Sequence, residues 1–501
     1  MPHGTRPERA SPRASLATRP LLAGAVALAL LSCDEEKRDD PPRFRSPGAQ
    51  LDAHALGDSG GSAPSRNPRS SLGRGVFDDD APSFIPPPWT DAWIRDQAKF
   101  YLDDAIFRRD VLERSLANHE NLYSAARLSA YGHGDRGWDV LPTWVPTANP
   151  VTPAIVAQLR SGDAFALPPD ATPIWDGKRP GSINQWLELG RRVFFDYPLR
   201  PEVFAEHALA RPNVATATGL VETDDGQWPG LVAFRDIDGR NRIGITCALC
   251  HTAVEDGTLV IGRARRAFDY GQLRLAYHRD TAEPIPPDLA ERMAHWGPGR
   301  ADITEDDDED PVAIPDLWGV RQQSALTQAG TILHVHPAAL AIRQETQILH
   351  ANRERSRPPR ELAWALAMYV YSLEAPAKAE ATADPRGAEL FAEHCASCHD
   401  NAAHGGKPVS ATQVGTNQTL AFGRARGTGR YRPSPLLRVA DAAPYFHDGS
   451  LPSLEALLSP ERLSDDYTEG VRGPGPIPGH EHGLELPEAD REALLAYLRV
   501  L

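Results

Sequence analysis

The chain is poor in sulfur. Its 501 residues include five cysteines and three methionines. So few cysteines exclude a disulfide-stapled scaffold. The methionines are Met1, Met293 and Met368, so everything after residue 368 lacks methionine. Long apolar runs are missing too. Leu21–Leu31 is the one uncharged apolar stretch of note, and it is too short to span a bilayer well. Positive charge is in deficit, with 53 Lys and Arg against 68 Asp and Glu, a net charge of -15. That argues against a nucleic-acid surface and suits a basic redox partner. The length is enough for two or three domains.

Four of the five cysteines fall in two copies of one pattern, Cys247-Ala-Leu-Cys250-His251 and Cys395-Ala-Ser-Cys398-His399. Cys-x-x-Cys-His is the attachment signature of c-type haem. Its thiols form thioethers to the porphyrin vinyl groups, and its histidine becomes the proximal ligand of the iron. Two copies imply two covalently bound haem c groups and a redox protein. A thioredoxin-like pair or half a zinc site are the competing readings. Neither asks for a histidine directly after the second cysteine in both copies.

The fifth cysteine, Cys33, closes an export signal. Arg6, Arg9, Arg13 and Arg19 form a positive n-region, and Leu30-Leu31-Ser32-Cys33 resembles a bacterial lipobox. The expectation is a lipid anchor on Cys33 and a place in the periplasm or cell envelope. The plainer reading is an ordinary cleaved signal with an incidental cysteine. Export accords with haem attachment, which in bacteria takes place outside the cytoplasm.

Residues 34–88, rich in Pro, Gly, Ser and charge, read as a flexible tether. Thr90 is a plausible N-cap, and Ile94, Tyr101, Ala105, Leu112 and Leu116 follow helical spacing. Residues 89–182 therefore read as a helical extension, with one long helix or two over 90–130. Trp138, Trp144 and Trp175 are expected to plug a core. A helix is expected over Ile183–Phe195, a hairpin around Gly230–Ile245, and further helices over Arg360–Leu373 and Pro487–Leu501. Ala375–Pro385 is the linker. The fold expected is mainly α: a first cytochrome c-type domain over 183–374 and a second over 386–501, with no repeat beyond these halves.

Three segments resemble the bacterial dihaem cytochrome c peroxidase and MauG superfamily. Leu189-Gly-Arg-Arg-Val-Phe-Phe-Asp196 is similar to the helix before its first haem. Gly387-Ala-Glu-Leu-Phe391, leading into the second motif, is similar to the start of its second domain. Ala443-Pro-Tyr-Phe-His-Asp-Gly-Ser450 is similar to a turn in that domain. Trp296-Gly-Pro-Gly-Arg300 and Gly479-His-Glu-His-Gly483 are nearer the branch of the RoxA-like rubber oxygenases.

The resemblance implies electron transfer through haem 2 to a candidate peroxide- or dioxygen-reactive haem 1, fed by a redox partner protein or small donor. The rival is a non-catalytic electron-transfer lipoprotein; a haem-based sensor is a third reading. Sixth ligands separate them. For haem 2 the family places the ligand between the His-Asp-Gly turn and the last helix, often methionine, or tyrosine in MauG. That window holds no methionine but holds His480 and His482; the resemblance favours His480.

For haem 1, Thr252–Leu273 contains no histidine where the peroxidases carry a distal one. Gln328-Ala329-Gly330 stands where they have Trp-Asp-Gly. His295, His334, His336 and Phe268 are candidates for the vacated side. Glu345 falls near the family's distal acid, though the plain expectation is a surface glutamate. His447 is expected beside a haem or between the two, Tyr445 and Phe446 to pack on haem, and Arg300 to be a candidate for a propionate. The acidic run Glu305–Asp310 reads as a solvated loop or as the calcium site of the family.

Overall fold

The computed structural model describes residues 89–302, 310–377 and 382–501. Cys33, the signal and the tether therefore lie outside the described residues, as do Glu305–Glu309 and part of the linker. No helix among the described residues is long and apolar enough to cross a membrane.

The structure is rich in helix. The extension opens with three helices, Asp91–Asp103, Ala105–Ser115 and Leu122–Ala130, rather than one or two. The difference is one of caps. Thr90, Asp104 and Asn121 each accept the backbone N–H three residues on, and Asp104 ends one helix while starting the next. Ile94, Tyr101, Leu112 and Leu116 are buried as their spacing requires. Trp138 is in the core, and the Trp144 ring meets Tyr197 and Phe234 edge-on. Trp175 is half-buried and donates to the Lys178 carbonyl.

Glu345 corrects the expectation of a surface residue. It is 1% exposed, in the helix Ala338–Ala351. Its Oε2 accepts the hydroxyls of Tyr101 at 2.8 Å and Tyr131 at 2.7 Å, both from the extension. Arg360 approaches its Oε1 at 3.4 Å and bonds Asp139 at 2.6 Å. A buried carboxylate is tolerated because two phenols and a guanidinium face it.

Downstream, one helix crossing occurs twice. Helix Ile183–Asp196 crosses Arg360–Tyr371 at Gly190, where a Cβ would lie 2.1 Å from the Ala365 carbonyl oxygen and 2.6 Å from Tyr369 Cβ. Helix Pro385–His394 crosses Glu488–Leu498 at Gly387, where a Cβ would lie 2.1 Å from the Ala493 oxygen and 2.6 Å from Tyr497 Cβ. Four residues after each glycine a phenylalanine meets that tyrosine: Phe194 with Tyr369 at 5.5 Å, Phe391 with Tyr497 at 5.4 Å. Gly-x3-Phe against Ala-x3-Tyr is thus a structural repeat that reading along the sequence had missed. Met368 lies fully buried in the first crossing.

The expected hairpin is present as Leu231–Arg235 with Asn241–Ile245, antiparallel, pairing Leu231 with Ile245. Ala148–Pro150 and Arg200–Pro201 add to its two sides. It delivers the chain directly into the first Cys-x-x-Cys-His.

Gly387→Ala is expected to lower the unfolding midpoint, by about 2 kcal/mol of stability, because added bulk at a backbone contact outweighs the gain in helix propensity. Denaturant melts of the holoprotein check this. An unchanged midpoint would mean the crossing is not tight.

Candidate haem-binding sites

The first motif sits on a short helical turn, Ala248–His251, at the end of the hairpin. Gly230, at φ +88°, passes so close beneath it that a Cβ would lie 2.1 Å from Leu249 N. Only glycine suits both the conformation and the approach. Cys247 and Cys250 are half-buried and pack against different apolar clusters, Cys247 on the helix-crossing side and Cys250 on the side of Leu249 and Phe268. Buried Arg265 holds the surroundings, donating to the carbonyls of Thr252 and Pro229.

His251 Nδ1 lies 3.1 Å from the Pro315 carbonyl oxygen. A carbonyl only accepts, so Nδ1 carries the hydrogen and Nε2 keeps its lone pair. Burial pushes the imidazole down to about 4, which keeps it neutral. A positioned, neutral, Nε2-basic imidazole is the form that binds iron. Arg343 is the cation whose charge reaches both Cys247 and His251; nothing in the sequence pattern singled it out.

The second motif repeats this logic. His399 Nδ1 lies 2.6 Å from the His404 carbonyl, presented by a loop that Asn401 Oδ1 ties through the N–H groups of Ala403 and Gly405. Burial lowers the pKa of His399 as well. Gly406 packs on the motif, a Cβ there falling 2.0 Å from the Cys398 oxygen. Burial pushes the thiols of Cys247, Cys250 and Cys395 up to about 12, 11 and 11. Protonated thiols are poor zinc ligands. Among the described residues no group of three or more His, Cys, Asp or Glu is placed to hold a metal ion by itself. Thioether chemistry suits these cysteines better than a zinc cluster.

Across from His399 stands His480. The ring centres are 6.5 Å apart and the planes cross at 70°. Metal–imidazole bonds of about 2 Å on opposite sides of one ion set ring centres roughly 6 Å apart. The pair therefore fits a haem iron held from both sides. Burial, then the neighbouring His399 and His482, push His480 down to about 3, and its Nδ1 is buried without a hydrogen-bond partner. His482 is exposed.

The loop aims His480 inward by two devices. Gly479, at φ +86°, crosses the backbone of Gly415 and Thr416 so closely that a Cβ would lie 2.1 Å from Thr416 N. Arg462, fully buried, donates to the carbonyls of Leu457, Ile477, Gly479 and His480. Its guanidinium also lies over the Phe446 ring, 5.6 Å from the centroid, and Phe446 is 6.1 Å from His480. Arg462 is thus a positioning residue that sequence reading missed.

The other candidates fall as follows. His334 and His336 have both ring nitrogens engaged, His334 with Gln323 O and the Tyr371 hydroxyl, His336 with Gln97 and Ala338 N. His295 is exposed at a helix end, bonded to the Glu291 carbonyl. Phe268 is fully buried in the core beside Cys250. His447 stacks on Tyr431 at 4.1 Å. Tyr445 donates to Val439 O, and Asp448 caps its turn through Ser450 N. Arg300 donates to the carbonyls of Asp448 and His295. Of the acidic run, Asp310 is described, 3.5 Å from Arg426.

The comparisons bear on the second half. Residues 429–467, which include the Pro444–Ser450 turn and Arg462, match the family model of the RoxA-like, cytochrome c-like domain. No curated protein matches the chain. Among solved structures, a MauG-like protein associated with microbial copper homeostasis aligns over 41% of this chain and 78% of its own, at 18% identity and a TM-score of 0.26. The segment match supports the resemblance on its RoxA-like side, with haem c as the cofactor class.

Replacing His480 with Ala is expected to create a new high-spin signal in low-temperature EPR of the holoprotein, and Arg462→Met a partial one. His482→Ala should leave the spectrum unchanged. If His482 rather than His480 gives the signal, the loop is misassigned.

Proposed function

We propose that the chain is an exported dihaem c-type cytochrome oxidoreductase, anchored by lipid at Cys33, with haem domains over 183–374 and 386–501. Haem 1 is held by Cys247, Cys250 and His251, haem 2 by Cys395, Cys398, His399 and His480. Bound haem supplies electron storage and, where one side of the iron is open, a place for peroxide or dioxygen.

The observation that carries this reading is an asymmetry. His480 faces His399, whereas among the described residues no imidazole ring stands across from His251 in that way. The candidates His334 and His336 are engaged elsewhere. Haem 2 then relays electrons from a redox partner protein or small donor, and haem 1 is the reactive centre. His/His ligation favours a lower potential than His/Met, which suits a donor to a reactive iron.

Between the halves runs a short polar seam. Arg263, Arg266 and Arg300 donate to the carbonyls of Asp441, Ala442 and Asp448, and Asn401 to Gln322. These contacts fix the spacing across which electrons pass. The segment Thr252–Leu273 folds into the hairpin Thr252–Glu255/Thr258–Ile261 and then the start of a helix, without a histidine to move the peroxide proton. Such a base assists O–O cleavage, so peroxide turnover below that of a complete family member follows.

A pyridine haemochrome assay is expected to give two haem c per chain, falling to one in the Cys395→Ala, Cys398→Ala double variant. Haem extracted by acid acetone would end the thioether reading. In stopped-flow spectra, cyanide should perturb one haem, and peroxide the same haem slowly. Two low-spin haems that neither reagent perturbs would replace the enzymatic reading with the electron-transfer one. Mass spectrometry of the mature N-terminus should find lipid on Cys33, and Cys33→Ala should release the protein from membranes.

A further inference from the structure

Two buried side chains outside both haem sites form a pair that packing alone does not explain. His334 is 2% exposed and Tyr371 5%. Their ring planes are nearly parallel, 17° apart with centres at 5.3 Å, and His334 Nε2 lies 2.5 Å from the Tyr371 hydroxyl. His334 Nδ1 lies 2.8 Å from the Gln323 carbonyl oxygen, so Nδ1 carries the hydrogen and Nε2 presents its lone pair to the phenol. The hydroxyl also lies 3.1 Å from Pro337 O, but a carbonyl cannot carry a proton away as an imidazole can.

Chains of contacts link the pair to both attachment motifs. Leu373, two residues beyond Tyr371, touches Gly262, whose N–H bonds the His251 carbonyl. On the other side the His334 N–H bonds Ser324 O, the Ser324 hydroxyl bonds Gly406 O, and Gly406 packs against the Cys398 carbonyl.

We propose that Tyr371 and His334 form a proton-coupled redox pair, an internal one-electron site linked to both haem motifs. One electron leaves the phenol, its O–H bond breaks, and the proton forms an N–H bond at His334 Nε2. A neutral phenoxyl and an imidazolium remain. Without that acceptor the O–H proton would stay on the oxidised phenol, a far stronger acid than an imidazolium; transfer leaves the positive charge in the core but moves it onto the better base. Burial pushes His334 down to about 4, which keeps the acceptor unprotonated beforehand. In turnover, and resting here on the haem reading above, the electron goes to hydrogen peroxide. One peroxide takes two electrons and two solvent protons to give two waters; Tyr371 supplies one electron, and a reduced haem held by Cys247, Cys250 and His251 would supply the other. An external one-electron donor then reduces the phenoxyl, and His334 returns its proton.

The test does not depend on peroxide chemistry. The holoprotein is oxidised by photogenerated ruthenium(III) tris-bipyridine and frozen for EPR. The expected result is a tyrosyl signal that is absent in Tyr371→Phe with haem content unchanged. In His334→Gln it should form slower by on the order of a hundredfold, losing its solvent deuterium isotope effect. If Tyr371→Phe fails to fold, 3-fluorotyrosine placed at 371 decides, since it keeps the hydrogen bond and adds a fluorine splitting. A signal undiminished in Tyr371→Phe, or one without fluorine splitting, overturns the proposal. A Tyr371 signal in a protein whose haems ignore peroxide supports the pair while removing the enzymatic reading.

Discussion

Arginine bonded to backbone carbonyl is the interaction on which the arrangement depends. Loops, not helices, carry most of the functional side chains, and a buried loop leaves carbonyls that must find donors. Guanidinium, with five N–H groups in a rigid fork, can serve several at once. Arg462 gathers three carbonyls of the loop that bears His480 and a fourth from Leu457, Arg265 two beside the first motif, and Arg263, Arg266 and Arg300 reach across the seam. Each cation is itself buried or nearly so, and would be costly there without those oxygens. The clamp is therefore mutual: the carbonyls need the arginine as much as the arginine needs them.

This explains what could be read along the chain and what could not. Cys-x-x-Cys-His is legible because its chemistry is local, confined to five consecutive residues. Caps are nearly as local, yet Asp104 and Asn121 divided a segment whose apolar spacing alone suggested fewer helices. The lack of methionine after residue 368 leaves His480 and His482 as the histidine candidates for a ligand to a second haem. Choosing between them needs the path of Gly479 over Gly415 and the reach of Arg462, contacts made by residues distant in sequence. The Gly-x3-Phe and Ala-x3-Tyr halves of each helix crossing are short and widely separated, so they become a pattern only once the helices touch. Glu345 was misread for a related reason. Carboxylates default to the surface, and the two tyrosines and the arginine that overturn the default come from three other segments.

One physical cause, desolvation, runs through the histidines. It pushes His251, His334 and His480 well below the ordinary imidazole range, yet the three have different surroundings. His251 gives Nδ1–H to a carbonyl and keeps a lone pair on Nε2. His480 faces a second imidazole across a gap wide enough for a metal ion. His334 has a carbonyl on one nitrogen and a phenol on the other. Neutrality is common to all three, and the partner decides the role. A buried neutral imidazole is a ligand where its lone pair meets a metal and a base where it meets a hydroxyl.

The two halves differ in what faces their motif histidines. Both use one helix crossing and one way of orienting the motif histidine, so the proximal sides are built alike. They differ in the segment that follows. After the second motif the chain returns through the turn at Pro444–Ser450 and the Arg462 clamp to deliver an imidazole. After the first it forms a hairpin and a helix whose one histidine, His278, bonds the Glu283 carbonyl instead. Difference in chemistry between two similar scaffolds thus traces to loops returning over the far side of each site, where a few backbone contacts decide whether that side is closed.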